Sequence, residues 1–205
     1  VDMDSVVKSR MEAWEGTAKL TLRDAGVRYR AVSVDGTTLT ATFGDQVAAD
    51  AARAPLRQAL DKLASQHPNR ITSAVADTTS LDDLSAIQGD LQHFGDLDMA
   101  ILNAGTCEYL EVANYNSQVI EANITTNVLG TARSLDIALP ALRATRAKGK
   151  PSTLVIVSSS AWWFPFGRAE GYGASKAALT YFAHALRADL AAEGIDVVVV
   201  SPGFV

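Results

Sequence analysis

The chain has 205 residues, of which 48% are hydrophobic and 20% charged, and a formal net charge of −5. This is the composition of a soluble globular protein of one medium or two small domains; the acidic balance argues against nucleic-acid binding. The single Cys107 excludes an internal disulfide and a multi-cysteine metal site.

Residues 2–25 predict a helix, because Val6, Val7, Met11, Trp14, Ala18 and Leu22 fall near a 3.6-residue period and Gly26 stands where a helix stops. In the next stretch, YRAVSVDGTTLTATF, two β-rich runs flank Asp35-Gly36 and predict a two-residue hairpin. A second helix is expected at about 45–66, with Pro55 interrupting it or opening a new turn, and His67-Pro68-Asn69 breaks the pattern. From residue 70 the texture changes. ITSAVAD (71–77) predicts a short strand, and SLDDLSAIQGDLQHFG (80–95) an amphipathic helix capped by Ser80 with Asp83 three residues on. DLDMAILNAG (96–105) is a mostly apolar strand ending in glycine. A long helical region follows at about 117–147, with Pro140 in its later part. STLVIVSSS (152–160), YGASKAALTYFAHALRADLAAEG (172–194) and IDVVVVSPG (195–203) read as strand, helix and strand.

Apolar strands alternating with helices specify a parallel sheet covered by helices. The expected fold is therefore α/β: a partial doubly wound, Rossmann-like sheet over 61–205, preceded by an α+β helix–hairpin–helix segment over 1–60. No apolar run reaches the length of a membrane span. The polar start VDMDSVVKSR is not a signal peptide, Cys107 fits a reducing compartment, and a cytoplasmic location is expected.

In an open α/β sheet, ligands bind beyond the carboxyl ends of the strands. Four stretches fall there: Asp77, Asn103-Ala104-Gly105, Ser158-Ser159-Ser160 and Pro202-Gly203. One strand-end serine is usually a turn residue; four such ends in one sheet suggest a shared ligand. Tyr172 and Lys176 sit four apart in EGYGASKAAL and share a helix face. An ammonium beside a phenol favours the phenolate, which suits proton exchange near neutral pH. Trp162, Trp163, Phe164 and Phe166 are read equally well as an apolar substrate wall or as loop packing. Cys107 reads as an inert, partly buried thiol, His67, His93 and His184 lack metal-ligand spacing, and Arg143, Arg146, Lys148 and Lys150 complement a helix dipole.

These motifs occur in one order: NAG at 103–105, NVLG at 127–130, Ser159 thirteen residues before Tyr172, YGASK at 172–176 and SPGFV at 201–205. In them, residues from about 60 to 205 resemble the short-chain dehydrogenase/reductase family. The resemblance implies hydride transfer between NAD or NADP and a small carbonyl/alcohol substrate, with the protein managing the proton. It implies that Tyr172 is the general acid/base, that Lys176 lowers its pKa and binds the nicotinamide ribose, that Ser159 hydrogen-bonds the substrate oxygen, and that Asn127 holds a water. It further implies that Asp77 contacts the adenine, that Asn103, Ala104 and Gly105 line the cofactor, and that Pro202 and Gly203 flank the nicotinamide. Homo-oligomers built through helices including the one that bears Tyr172 are implied as well; a metal is not.

The family's Gly-x-x-x-Gly-x-Gly phosphate turn is not found in residues 1–70, where Gly16, Gly26, Gly36 and Gly44 are isolated. Gly167, Gly171 and Gly173 match it literally but surround Tyr172, and are read as a coincidence. Weak cofactor binding is therefore expected, and the choice between NAD and NADP is open. Residues 1–58, with VDMD, LRDAGVRY and the hairpin in order, resemble the first periplasmic domain of SecD, a bacterial protein-export subunit. That resemblance implies a chimera of two truncated pieces. Its alternative function is a non-enzymatic export fragment joined to a dead dehydrogenase remnant, and in its own family the SecD-like segment would be periplasmic.

Overall fold

The structure is a computed structural model that describes residues 31–35, 38–42, 54, 55, 58, 61, 62, 65, 74, 76–94 and 96–203. The chain divides into two compact units, Val1–Val75 and Ala76–Val205.

In the first unit, β1 (Ala31–Asp35) and β2 (Thr38–Thr42) form the expected antiparallel hairpin. Asp35 pairs with Thr38, so the two-residue connection is 36–37, one position later than Asp35-Gly36 suggests. Residues 54, 55, 58, 61, 62 and 65 are helical, in keeping with a helix at 45–66 that includes Pro55. The helix expected at 2–25 and the break at 67–69 lie outside the described residues.

The second unit opens with a correction. A strand was expected over 71–76, but residues 74 and 76 are not in a strand, and 71–73 and 75 lie outside the described residues. From Asp77 the backbone turns into a helix start. Asp77 Oδ1 accepts from the Thr79 amide and hydroxyl, each at 2.8 Å, an Asx-type turn. The Asp77 amide donates to Asp83 Oδ2 at 2.8 Å. Ser80 and Asp83 complete a reciprocal cap on α1 (Leu81–Phe94), with the Asp83 amide donating to Ser80 Oγ and that hydroxyl to Asp83 Oδ1, both at 3.2 Å.

After α1 come β3 (Met99–Leu102), α2 (Ser117–Ile124), a π turn (Thr125–Leu129), α3 (Gly130–Ala147), β4 (Thr153–Val157), α4 (Glu170–Ala191) and β5 (Asp196–Val200). The three strands form a parallel sheet in the order β3-β4-β5, with Ala100 beside Leu154 and Leu154 beside Val197. Leu154 and Ile156 are fully buried and the alternate residues Val155 and Val157 nearly so, so both faces of the central strand are covered. Leu135, Ala138 and Leu142 of α3 and Leu179, Ala183 and Leu190 of α4 join the same core. Their spacings of three, four and seven residues place each set on one helix face. Helix α3 runs through Pro140.

Parallel strands deliver all their carboxyl ends to one edge. Asn103, Ser159 and Pro202 therefore share a rim, closed by Ser158 N donating to Val200 O at 2.7 Å and Ser160 N to Pro202 O at 2.8 Å. Asp77 belongs to the same end of the unit. Its neighbour Thr78 lies so close to Gly130, the first residue of α3, that a Cβ there would meet Thr78 Oγ1 at 2.7 Å, and Arg133 donates to the Thr79 carbonyl.

Because β4 is covered on both faces, Ile156→Ala should destabilise the chain by about 2–5 kcal/mol and Ile156→Val by about 0.5–1.5 kcal/mol. Denaturant unfolding followed by circular dichroism measures both; equal, small losses would mean that the core around β4 is loosely packed.

Candidate active site

The site begins with the loop that leaves β3. This irregular segment is held by two asparagines, four apart and both fully buried. Asn127 accepts from the Thr106 amide at 2.7 Å and donates to the Thr106 carbonyl at 2.9 Å. Asn123 accepts from the Glu108 amide at 3.2 Å and donates to the Glu108 carbonyl at 3.1 Å. Each side chain thus replaces the backbone partner that a strand would supply, which keeps the loop's polar groups satisfied. Asn123 was not singled out from the sequence; its signal was the four-residue spacing from Asn127. Sequence periodicity also predicted a continuous helix through 117–147, whereas a π turn at 125–129 carries Asn127, with the Gly130 amide bonded to the Thr125 carbonyl. Such turns mark functional positions in helices.

Asn127 reaches further. Its second amide hydrogen goes to Ser175 Oγ at 2.8 Å, and Ser175 donates to the Tyr172 carbonyl at 2.7 Å. Both amide hydrogens are thereby taken by protein acceptors, so this side chain can offer a water only an oxygen. Ser158 Oγ donates to the Lys176 carbonyl at 3.0 Å, fixing α4 to the end of β4. Gly171 and Gly173 serve close packing in the first turn of α4: a Cβ would meet Ile120 Cδ1 at 3.0 Å in one case and Ala161 O at 3.1 Å in the other.

Within this frame the expected cluster assembles. Lys176 is 4% exposed and its ammonium donates to the Val157 carbonyl at 2.9 Å, with Nζ 5.7 Å from the centre of the Tyr172 ring. The Tyr172 phenol lies near enough to Ser159 for that side chain to lower its pKa, and the Ser159 hydroxyl caps the following turn by accepting from Ala161 N at 3.2 Å. Gly105 approaches from the β3 loop, where a Cβ would lie 3.1 Å from Asn127 Oδ1 and 3.4 Å from Lys176 Nζ. Ser159, Tyr172, Lys176, Asn127 and Gly105 are therefore gathered at one point of the rim. Asn103 and Pro202 lie half-buried along the rim, with Ala104 and Gly203 exposed beside them. Asp77 is placed near the start of α3.

The electrostatics run against one expectation. Burial pushes the Tyr172 phenol above its ordinary pKa; the Ser159 hydrogen bond pulls it down, and Cys107 and Tyr109 push it up further. Burial also lowers Lys176 from 10.5 to about 8, with Cys107 opposing the shift. The ammonium is committed to the Val157 carbonyl and burial is the largest influence on both groups, so desolvation outweighs attraction. Cys107 and Tyr109 thus act electrostatically on Tyr172, and Cys107 is half-buried as the sequence reading has it.

Trp162, Trp163 and Phe164 follow Ser159 and are all exposed, with Trp163 and Phe164 edge-to-face at 6.2 Å. A surface hollow lined by Arg143, Arg146 and Glu193 lies at the opposite end of the strands; its Arg143 and Glu193 are paired at 2.6 Å, and it holds none of this chemistry. Among the described residues, no group of His, Cys, Asp and Glu could hold a metal, and no helix is long and apolar enough to cross a membrane.

Residues 37–205 match the profile of the short chain dehydrogenase family. The match overlaps the segment likened to SecD at 37–58. Among curated relatives, 11-beta-hydroxysteroid dehydrogenase 1A of Arabidopsis thaliana is 34% identical over 140 residues, covering 67% of this chain and 38% of the relative. A short-chain dehydrogenase of Streptomyces avermitilis superposes with a TM-score of 0.64 at 28% identity, over 72% of this chain and 54% of that one. The NADH-dependent reductase A1-R′ of alginate metabolism superposes with a TM-score of 0.59 at 25% identity, over 63% of this chain and 55% of that one. The chain spans between about a third and just over half the length of these three proteins.

The buried Lys176 makes the site's stability depend on pH in a definite sense. Its depressed pKa means that the burial penalty is full below about pH 8 and is relieved as the pH rises toward 10.5. The native chain should therefore gain about 3 kcal/mol relative to Lys176→Met between neutral pH and about 10.5. Parallel unfolding curves of the two proteins measure this; a pH-independent difference would show that Lys176 is not buried as an ammonium.

Proposed function

Because the chain belongs to the short-chain dehydrogenase family, we propose that it is a nicotinamide-dependent oxidoreductase that interconverts a carbonyl compound and its alcohol at Tyr172. The observation that carries this reading is the joint placement of the Tyr172 phenol, the Ser159 hydroxyl and the Lys176 ammonium at the carboxyl ends of parallel strands.

The residues at the rim fit the reactive end of NAD or NADP. Gly105 leaves open the space beside Lys176 that a side chain would fill. Lys176 has three donor hydrogens, one of them on the Val157 carbonyl, and can offer others to ribose hydroxyls. The Asn103-Ala104 and Pro202-Gly203 segments border that space from β3 and β5, and Asp77 is assigned the adenine end. The NADH-dependent reductase among the similar structures supports a nicotinamide cofactor. When bound, it supplies or accepts the hydride.

The chain's own residues handle the proton and the substrate oxygen. A phenol held above its ordinary pKa stays protonated at neutral pH, so Tyr172 is set to give a proton to a carbonyl oxygen. Ser159, whose side chain lowers the phenol's pKa, is placed to hydrogen-bond the same oxygen. Asn127 keeps the frame fixed by tying Thr106 to Ser175. Tyr181, 79% exposed on α4, offers an outer face for homo-oligomers.

The test is a paired measurement on the 205-residue chain. Titration of NADH and NADPH, by fluorescence or calorimetry, should give binding weaker than micromolar, because residues 1–70 carry no glycine-rich phosphate turn. Tyr172→Phe should keep that affinity and lower carbonyl reduction by about a hundredfold or more. Unchanged turnover in Tyr172→Phe would overturn the assignment. Submicromolar affinity would place an unrecognised phosphate cradle in residues 1–70.

A further inference from the structure

The end of β4 holds Lys176 twice. The ammonium donates to the Val157 carbonyl at 2.9 Å, and the Lys176 carbonyl accepts from Ser158 Oγ at 3.0 Å. The last residue of the strand and the one after it thus grip the two ends of one flexible four-carbon stem. An anchor at the ammonium is only as firm as the backbone behind it, and Ser158 supplies that second anchor. Thr180, one helical turn on, joins the same point. Its hydroxyl donates to the Lys176 carbonyl at 2.9 Å and stands 2.7 Å from Ser158 Oγ.

The two hydroxyls carry one hydrogen each for these three short contacts. When Ser158 donates to the Lys176 carbonyl, Thr180 donates to that carbonyl or to Ser158. When Ser158 donates to Thr180, Thr180 takes the carbonyl. In every arrangement Ser158 is bonded to α4 at Lys176 or one turn beyond it. Ser158, Lys176 and Thr180 are 3%, 4% and 5% exposed, so no water is at hand to replace a lost bond. The proton chemistry assigned to Tyr172 uses neither hydroxyl. Ser175, the residue before Lys176, is tied to Asn127. That bond joins α4 to the π turn, whereas the Ser158 bond joins it to the sheet.

We propose that Ser158 is a positioning residue for Lys176, with Thr180 as its partner: the two lock the lysine backbone to the end of β4, so that the ammonium stays against the Val157 carbonyl instead of extending to solvent. The proposal rests on the assignment of Lys176 to the reactive site. Without the lock α4 can shift against β4, and a long cationic side chain then turns its head toward water.

The Lys176 amine is its own probe. Nitrogen NMR of the full chain carrying isotope-labelled lysine follows its titration, with the signal identified by its loss in Lys176→Met. The native midpoint should lie at about 8. In Ser158→Ala it should rise toward 10.5 as the ammonium reaches water. Thr180→Val leaves the Ser158 bond to the Lys176 carbonyl in place and should keep the midpoint at about 8. Ile156→Val, a core change in the same strand, should keep it there too, because lost stability alone does not free the ammonium. If Ser158→Ala does not fold, Ser158→Cys decides, since a thiol is a weak donor of similar shape. A midpoint that stays or falls in the folded Ser158 variant overturns the proposal. A native midpoint near 10.5, or a rise in Ile156→Val as large as in Ser158→Ala, overturns it as well. Turnover separates this inference from the catalytic one. A midpoint that rises in Ser158→Ala, in a chain that reduces no carbonyl, removes the oxidoreductase reading alone. Reduction that depends on Tyr172, with an unmoved midpoint, removes the positioning role alone.

Discussion

The buried amide of Asn127 is the interaction on which the rest of the site depends. It ties the Thr106 backbone to Ser175, and through Ser175 to the Tyr172 carbonyl, so one side chain joins the β3 loop, the π turn and the first turn of α4. A polar group in that position is costly unless every bond is made, and here each amide atom has a partner. Asn123 repeats the device one helical turn earlier on Glu108. The loop needs no regular secondary structure because two side chains do the work of a neighbouring strand. That leaves its backbone free to bring Gly105 up to Lys176.

Burial dominates the chemistry of the reactive pair. In water an ammonium beside a phenol would draw its pKa down, but Lys176 is withdrawn from solvent and spends a hydrogen bond on Val157. Desolvation moves the two groups apart, the lysine downward to about 8 and the tyrosine upward. Both neutral forms gain ground. A bound anionic cofactor would act on a lysine that loses its charge easily and a phenol that holds its proton, rather than on a permanently charged lysine and an ordinary tyrosine.

How much of this could be read in the sequence follows from what each residue does. The strands at β3, β4 and β5 were legible because a parallel strand covered on both faces must be apolar throughout, as TLVIV is. Tyr172 and Lys176 could be placed on one helix face and Ser159 at a strand end from the sequence, but their catalytic roles were implied by the family resemblance rather than by spacing. The stretch before Asp77 misled: it reads as a strand, yet residues 74 and 76 are in none, and from Asp77 on the hydrogen bonds belong to a helix cap. The π turn, the role of Asn123 and the Ser158 bond to the Lys176 carbonyl left no periodic trace. Each arises from a contact between segments far apart in the chain. The phenol's upward shift was missed for the same reason, because spacing shows that two groups meet but not how dry their meeting place is.

The π turn has a consequence for how the gene can change. It widens the helix between Asn123 and Gly130 by about one residue per turn, as an insertion would. Removing a single residue from 125–126 would restore an ordinary α-helical path and rotate everything upstream relative to Asn127 by about 100°. Asn123 and Asn127 could then no longer face Glu108 and Thr106 together. Apart from Asn127, the side chains in TTNVL can be exchanged as far as packing permits, but the reading frame of the helix cannot lose one codon without unhooking the loop that carries Gly105. Outside Asn127, length rather than identity is the quantity under constraint in that short segment.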